Sequence, residues 1–287
     1  MKKNKILDIA MRWLFTVCGF LSIIFVIVIT AFLVSSGVPA IGEIGIREFL
    51  FGTTWASTAK NPEYGILPFI LSSVYGTFGA ILIGVPFGVL CAVFLAKSSS
   101  RKASSVLSSV IELMSGIPSV VYGLVGMIVI VPNVRELFGL PDGANLFSAI
   151  IVLAIFAMKS GWQVYIKEMT GVVGANLFSA IIGLAIMILP SVISISQTAI
   201  QAVAHEYEEA SLALGATKTE TIFKVTLPAA KSGILASIVL GIGRALGEAM
   251  AVMMVAGNVA NMPSLFKSVR FLTTAVASEM SYSSGLQ

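Results

Sequence analysis

Two ionisable residues stand inside an otherwise apolar stretch near the C-terminus, in Gly241-Ile-Gly-Arg-Ala-Leu-Gly-Glu-Ala-Met-Ala-Val252. On a continuous helix Arg244 and Glu248 share one face four residues apart, so each partly neutralises the other in a low dielectric. An arginine fork offers two directed hydrogen bonds to an oxyanion, and a carboxylate beside it holds the fork in place or disfavours a lingering anion. Arginine alone does not distinguish one tetrahedral oxyanion from another. The alternative reading is a buried structural ion pair. Gly241, Gly243 and Gly247 let neighbouring backbones approach closely, and they also leave room for a ligand at the helix surface.

A second constellation is polar throughout: His205-Glu-Tyr-Glu-Glu-Ala-Ser-Leu-Ala-Leu-Gly215-Ala-Thr-Lys-Thr-Glu-Thr-Ile-Phe-Lys-Val-Thr-Leu-Pro228. Residues 206–214 are helix formers with acids in the first turn, and Gly215 supplies a left-handed stop. Thr217 followed by Glu220 forms a capping box that opens a second helix, whose apolar Ile222, Phe223 and Val225 precede Pro228. The pattern predicts a helix-turn-helix presented to water.

The elements that must hold these residues follow from composition. Of 287 residues 57% are hydrophobic and 11% charged, about half the charge usual in a soluble domain. Five apolar segments, residues 13–34, 67–96, 106–131, 177–200 and 234–256, are long enough to cross a bilayer. The fold class expected is therefore all-α, a polytopic transmembrane helical bundle. The first apolar run is too long for a signal-peptide core and lacks a small-x-small cleavage site, so it reads as a retained helix. With the N-terminus inside, ten of the eighteen basic residues fall in the cytoplasm and seven on longer outer segments, in keeping with the positive-inside bias. Lys and Arg thus report membrane lipid headgroups and topology, not nucleic acid. Residues 37–64 and 132–174 then face outward, and residues 97–105 inward. Cys18 and Cys91 lie in apolar spans and read as packing residues, and the lone acid Glu112 carries no assigned role.

One local repeat intrudes: Gly143-Ala-Asn-Leu-Phe-Ser-Ala-Ile-Ile151 recurs as Gly174-Ala-Asn-Leu-Phe-Ser-Ala-Ile-Ile182. Lys159 cuts the first copy short, so an interfacial or re-entrant segment is expected there, whereas the second copy continues into a span.

Within the polar loop, Glu209-Ala210-Ser211, then Gly215, then Val225-Thr-Leu227-Pro228 resembles the EAA loop of bacterial ABC importer permeases. The resemblance implies that Glu209, Ala210, Ser211, Gly215, Leu227 and Pro228 belong to the surface that docks a separate ATPase. Ser211 replaces the second alanine and is still small. No P-loop accompanies the loop, so the chain is read as a transport subunit and not an enzyme, with no cofactor of its own. The segment around Arg244 and Gly116-Ile-Pro-Ser-Val-Val-Tyr-Gly123 narrows the resemblance to phosphate permeases of the PstC type, from about residue 66 onward. Ala249 stands where such proteins usually carry threonine. They also continue into a further span beyond a stretch like Ser284 to Leu286.

What the resemblance implies is a permease subunit translocating inorganic phosphate across a bacterial plasma membrane. Its implied partners are an ATPase of the PstB type, a second permease of the PstA type and an external phosphate-binding protein. Arg244 and Glu248 are the expected substrate-path residues. Residues 1–64 read as an N-terminal span with its outer loop, and residues 65–287 as the permease domain, with the duplicated insertion near 143–182 and the docking loop at 203–228. Two other functions fit the residues alone: an ion-coupled secondary transporter using Arg244 and Glu248 as a relay, and a membrane assembly subunit that conducts nothing.

Overall fold

The computed structural model describes residues 2–57, 59–138 and 175–279. The first repeat copy, nearly all of the expected outer segment 132–174 and the Ser284–Leu286 stretch lie outside the described residues. Helix α1 (Lys2–Ile44) continues past Gly37, where an outer loop is expected from the sequence. In an apolar solvent a backbone satisfies its polar groups most simply by staying helical. None of the apolar window within Ile9–Ile44 is buried against the rest of the chain, so its Phe, Ile and Leu side chains point outward. Cys18 shares that outward surface, so only the half-buried Cys91 packs within this chain as expected.

After α2 (Ile46–Phe51), strands β1 (Trp55–Ala56) and β2 (Glu63–Tyr64) form a short antiparallel hairpin that sets Trp55 opposite Tyr64. Helix α3 (Leu67–Val93) starts with Pro68 in its first turn, where a missing amide costs nothing. It runs on through Phe94–Ser98 in wider i→i+5 turns. Then come α4 (Arg101–Gly116), α5 (Ser119–Val125) with its wider continuation Gly126–Ile130, and α6 (Val131–Phe138). Past the undescribed segment lie α7 (Leu177–Gln201), α8 (His205–Ala213), α9 (Lys218–Thr221) and a second wide stretch, Ile222–Thr226. Helices α10 (Leu227–Ala229), α11 (Lys231–Gly247), α12 (Met250–Val255) and α13 (Leu272–Glu279) complete the described chain.

Among the described residues, Ile9–Ile44, Leu67–Ser98 and Leu177–Gln201 are each long and apolar enough to cross a membrane, and two bent helix pairs raise the number to five. The protein is thus a multi-pass helical membrane protein. The second repeat copy opens α7 as expected, with Asn176 accepting the Ser179 amide at 3.0 Å. The third and fifth spans depart from expectation. The third is bent by 98° between Gly116 and Ser119. Pro118 drives Ile117 into extended backbone (ψ 127°). The hydroxyl of Tyr122 donates to the Met114 carbonyl at 2.6 Å, which also accepts the Ile117 amide at 3.2 Å, so both bonds converge at the break.

Helix α7 is the post around which the bundle is built: 61% of its apolar window is buried, against 33% for Leu67–Ser98. Close approach fixes its seam with α3. A Cβ at Gly84 would sit 2.9 Å from Ile188, and one at Gly88 would sit 2.7 Å from Val192. Small residues at such spacing let apolar helices interlock where no hydrophobic effect drives them together. Buried Ser196 and Ser237 share a 2.9 Å hydrogen bond that ties α7 to α11.

At the end where α7 starts, the chain after α12 turns back through Gly257 (φ 88°) and Asn258 (φ 53°). This return segment gives α7 partners for its orphan amides: Phe178 donates to Leu265 at 2.8 Å and Leu177 to Lys267 at 3.2 Å. Phe271 is wedged over Gly76, and the Leu272 amide donates to Ser73 Oγ at 2.9 Å.

Candidate functional site

Arg244 lies on the last turn of α11, half-buried, and faces an open groove of about 690 Å³ lined by Ser191, Ala236, Val239, Leu240, Gly243 and Arg244. Its Nη1 donates to Ser191 Oγ on α7 at 3.0 Å. Of the neighbouring glycines, Gly241 packs against Val192, whereas Gly243 and Gly247 meet nothing within 4 Å. Gly243 therefore opens space in the groove beside the guanidinium, and Gly241 serves packing.

The facing pair expected from the sequence does not form. Helix α11 ends at Gly247, and Glu248 is extended (φ −76°, ψ 120°), so the two residues are not stacked one turn apart. The Glu248 carboxylate instead accepts the Ala251 amide at 2.9 Å, and its main-chain carbonyl accepts from Thr273 Oγ1 at 2.9 Å. Glycines weaken the helix before the break. A carboxylate placed ahead of α12 finds unpaired amides there. Among the described residues no acid pairs with Arg244 within salt-bridge distance.

Two residues near Arg244 carried no role in the sequence reading. Ser191 directly follows Pro190 in the middle of an apolar span, and such a proline removes a helix donor and marks a place where side chains meet freed backbone. Tyr122 lies within electrostatic reach of Arg244 and packs against the core beside the break in the third span. Its signal was the Gly-Ile-Pro stretch just before it. Three spans thus bring a guanidinium, a serine hydroxyl and a phenol to one region. Glu112 is exposed on α4.

The polar loop folds as its local chemistry dictates. At the end of α8 the Ala216 amide donates to Ser211 O at 3.2 Å and the Gly215 amide to Leu212 O at 3.0 Å, with Gly215 at φ 90°. That is a Schellman closure. The expected capping box is present: Glu220 N–H donates to Thr217 Oγ1 at 3.2 Å, and Thr217 N–H donates to Glu220 Oε2 at 3.1 Å. Ser211 Oγ meets Thr221 Oγ1 at 3.0 Å across the two helices. Glu209, Ala210, Gly215 and Pro228 are exposed, Ser211 and Leu227 half-buried. Tyr207 and Leu214, 61% and 90% exposed, lie with Ala210 along one outward face of α8.

Facing the other way, Glu208 accepts Lys97 at 2.5 Å and the Thr226 hydroxyl at 3.0 Å. Burial alone would raise its pKa, but the Lys97 ammonium and the Thr226 hydroxyl together hold it below the usual carboxylate value. No cluster of metal-ligating side chains occurs among the described residues.

The sequence that folds in this way is similar to known proteins. Residues 84–278 match the family described as binding-protein-dependent transport system inner membrane component. The probable ABC transporter permease protein YqgH of Bacillus subtilis is 35% identical over 98% of this chain and 82% of its own length. The phosphate transport system permease protein PstC of Pasteurella multocida is 31% identical over 84% of this chain and 71% of its own, and that of Haemophilus influenzae 30% identical over 84% and 72%. The match covers the broken third span, the polar loop and the Arg244 groove together, and the chain belongs to the binding-protein-dependent transport system inner membrane component family.

Proposed function

We propose that the chain is a membrane permease subunit of an ATP-binding-cassette importer and passes inorganic phosphate across the plasma membrane. The observation that carries this reading is Arg244: an intramembrane guanidinium held by a serine hydroxyl and otherwise open to a groove, in a chain 30 to 31% identical to named phosphate permeases. A charge within a span and without a counter-ion among the described residues is costly unless a ligand or water uses it. Tetrahedral phosphate offers two oxygens to the fork, and a groove with otherwise apolar walls lets the anion move on. Glu248 shapes the path by ending α11 and anchoring α12. As a carboxylate near the groove it also disfavours a long-lived anion.

The loop supplies the other half. Glu209, Ala210, Ser211 and Gly215, with Leu227 and Pro228 behind them, present α8 to a cytoplasmic ATPase of the PstB type. A PstA-type permease and an external phosphate-binding protein complete the importer. ATP hydrolysis belongs to the ATPase chain. The N-terminus, residues 97–105 and the loop then face the cytoplasm. Cysteine labelling from outside at Asn145 checks that topology, and labelling only after permeabilisation overturns it.

The deciding experiment is purification in mild detergent followed by reconstitution with labelled phosphate. A P-loop ATPase and a second permease should co-purify, and uptake should require ATP. Uptake without an ATPase would make the chain a secondary transporter. Normal uptake by Arg244→Gln would make it an assembly subunit.

A further inference from the structure

No residue of helix α8 is fully buried. What fastens it to its own chain is polar: Glu208 and Ser211, three residues apart on the inward face, each bonded to the segment that follows. Glu208 reaches furthest. Its carboxylate joins Lys97, at the loop end of the span that includes α3, to Thr226, just ahead of the span that carries Arg244. Thr226 is fully buried, and the side chains of Lys97 and Glu208 are 18% and 15% exposed, so water does little to loosen the joint.

The backbone at both anchors is unusual in the same way. Lys97 falls within Phe94–Ser98 and Thr226 closes Ile222–Thr226, and both stretches are wound with i→i+5 bonds. Such turns carry one residue more than an α-helical turn and occur frequently at functional sites. A rigid helix fastened to two spans at two such turns can pass a displacement to both. Apolar packing would let them slide.

We propose that Lys97, Glu208 and Thr226 form the joint that converts movement of α8 into movement of the spans beginning at Leu67 and Lys231, so that Lys97 and Thr226 are positioning residues for coupled transport. This rests on the importer reading above. The bland alternative is an ion pair that merely holds the loop folded. A folding role lowers complex yield, ATP hydrolysis and uptake together. A joint changes the phosphate moved for each ATP hydrolysed.

The test uses the whole complex, with ATPase, second permease and binding protein, in liposomes supplied with inorganic phosphate and ATP. Lys97→Met and, separately, Thr226→Val should lower the ratio of uptake to ATP hydrolysis about tenfold, the size of an ordinary coupling energy between sites. Lys97→Arg keeps the charge and should keep the ratio. The exchanged pair Lys97→Glu with Glu208→Lys should recover most of what Lys97→Met loses. A ratio unchanged in Lys97→Met and Thr226→Val overturns the joint, as does an exchanged pair no better than the single change. If Lys97→Met fails to assemble, Thr226→Val decides, since it removes one hydroxyl at nearly constant volume. Wild-type complex lacking an ATPase would instead sink the importer reading itself.

Discussion

Arg244 and Arg270 stand on either side of the break at Glu248 and are treated in opposite ways. Arg270 is held by three contacts: it donates from Nη1 to Glu279 and from Nε to the Asn258 carbonyl at 3.2 Å, and it lies 5.8 Å from the centre of the Phe69 ring. Glu279 in turn accepts the Trp55 indole at 3.1 Å, so the cluster fastens the β1–β2 hairpin to the returning chain. Trp55 packs between Tyr64 and Phe69, with ring centres 5.7 and 5.4 Å away. Among the described residues Arg244 has one serine hydroxyl and an open groove. A charge with its counter-ion in contact holds a fold together, whereas a charge with adjoining space and no counter-ion is available to a ligand. Type and burial alone would not separate the two.

The largest expected effect tests the open arginine. Arg244→Gln should lower phosphate uptake about a hundredfold, as loss of a directed donor to an oxyanion does. Complex yield and melting temperature in detergent should stay near wild type. Equal loss of yield would put Arg244 in the same structural class as Arg270. The converse change, Arg270→Gln, leaves Glu279 half-buried without its cation and should cost on the order of 2 kcal/mol of stability. Uptake per assembled complex should survive it. A normal melting curve would show that the cluster is not a fastener.

The supporting residues sharpen the contrast at smaller scale. Ser191→Ala frees Arg244 to wander and should reduce uptake by roughly fivefold without moving the melting temperature. Trp55→Phe keeps the aromatic packing but loses the indole donor, so it should lower stability by about 1 kcal/mol and spare uptake. Crossed outcomes would dissolve the distinction.

The smallest effect concerns a third charged pair, Lys97 and Glu208. Because the Glu208 pKa is depressed in the folded protein, its contribution is complete above the ordinary carboxylate range. It is lost as pH falls through that range toward the lowered folded value. Melting temperature should drop on this acidic limb, and the drop should shrink in Glu208→Gln. An identical acid limb in that variant would mean the pair adds nothing to stability.

The loop between α7 and α11 was legible almost residue by residue. Gly215, Thr217 and Glu220 act on amides within a few positions of themselves, so their effect depends little on the rest of the molecule. The existence and rough placement of the spans were legible for a similar reason, since the bilayer imposes length and apolarity on any helix that crosses it. Reading a facing Arg244–Glu248 pair failed because it assumed an unbroken helix. That break depends on Thr273 and on the start of α12, and neither is visible from the spacing of two charges. Pro118 did signal its break, but not that Tyr122 would bond across it.

Membrane residence, the helical class and the shape of the polar loop were thus determined by the sequence itself, through local hydrogen bonding and through apolarity summed along single segments. Tertiary structure decided the long-range partners of the charged side chains. Pairing turns on distances between residues far apart in the chain: Arg244 meets Ser191 on another span, Trp55 meets Glu279 across nearly the whole protein, and Glu208 meets both Lys97 and Thr226. Once α7 and the glycine seam on α3 set those distances, each charge settles on the nearest partner that can satisfy it, whatever its neighbours in sequence suggest.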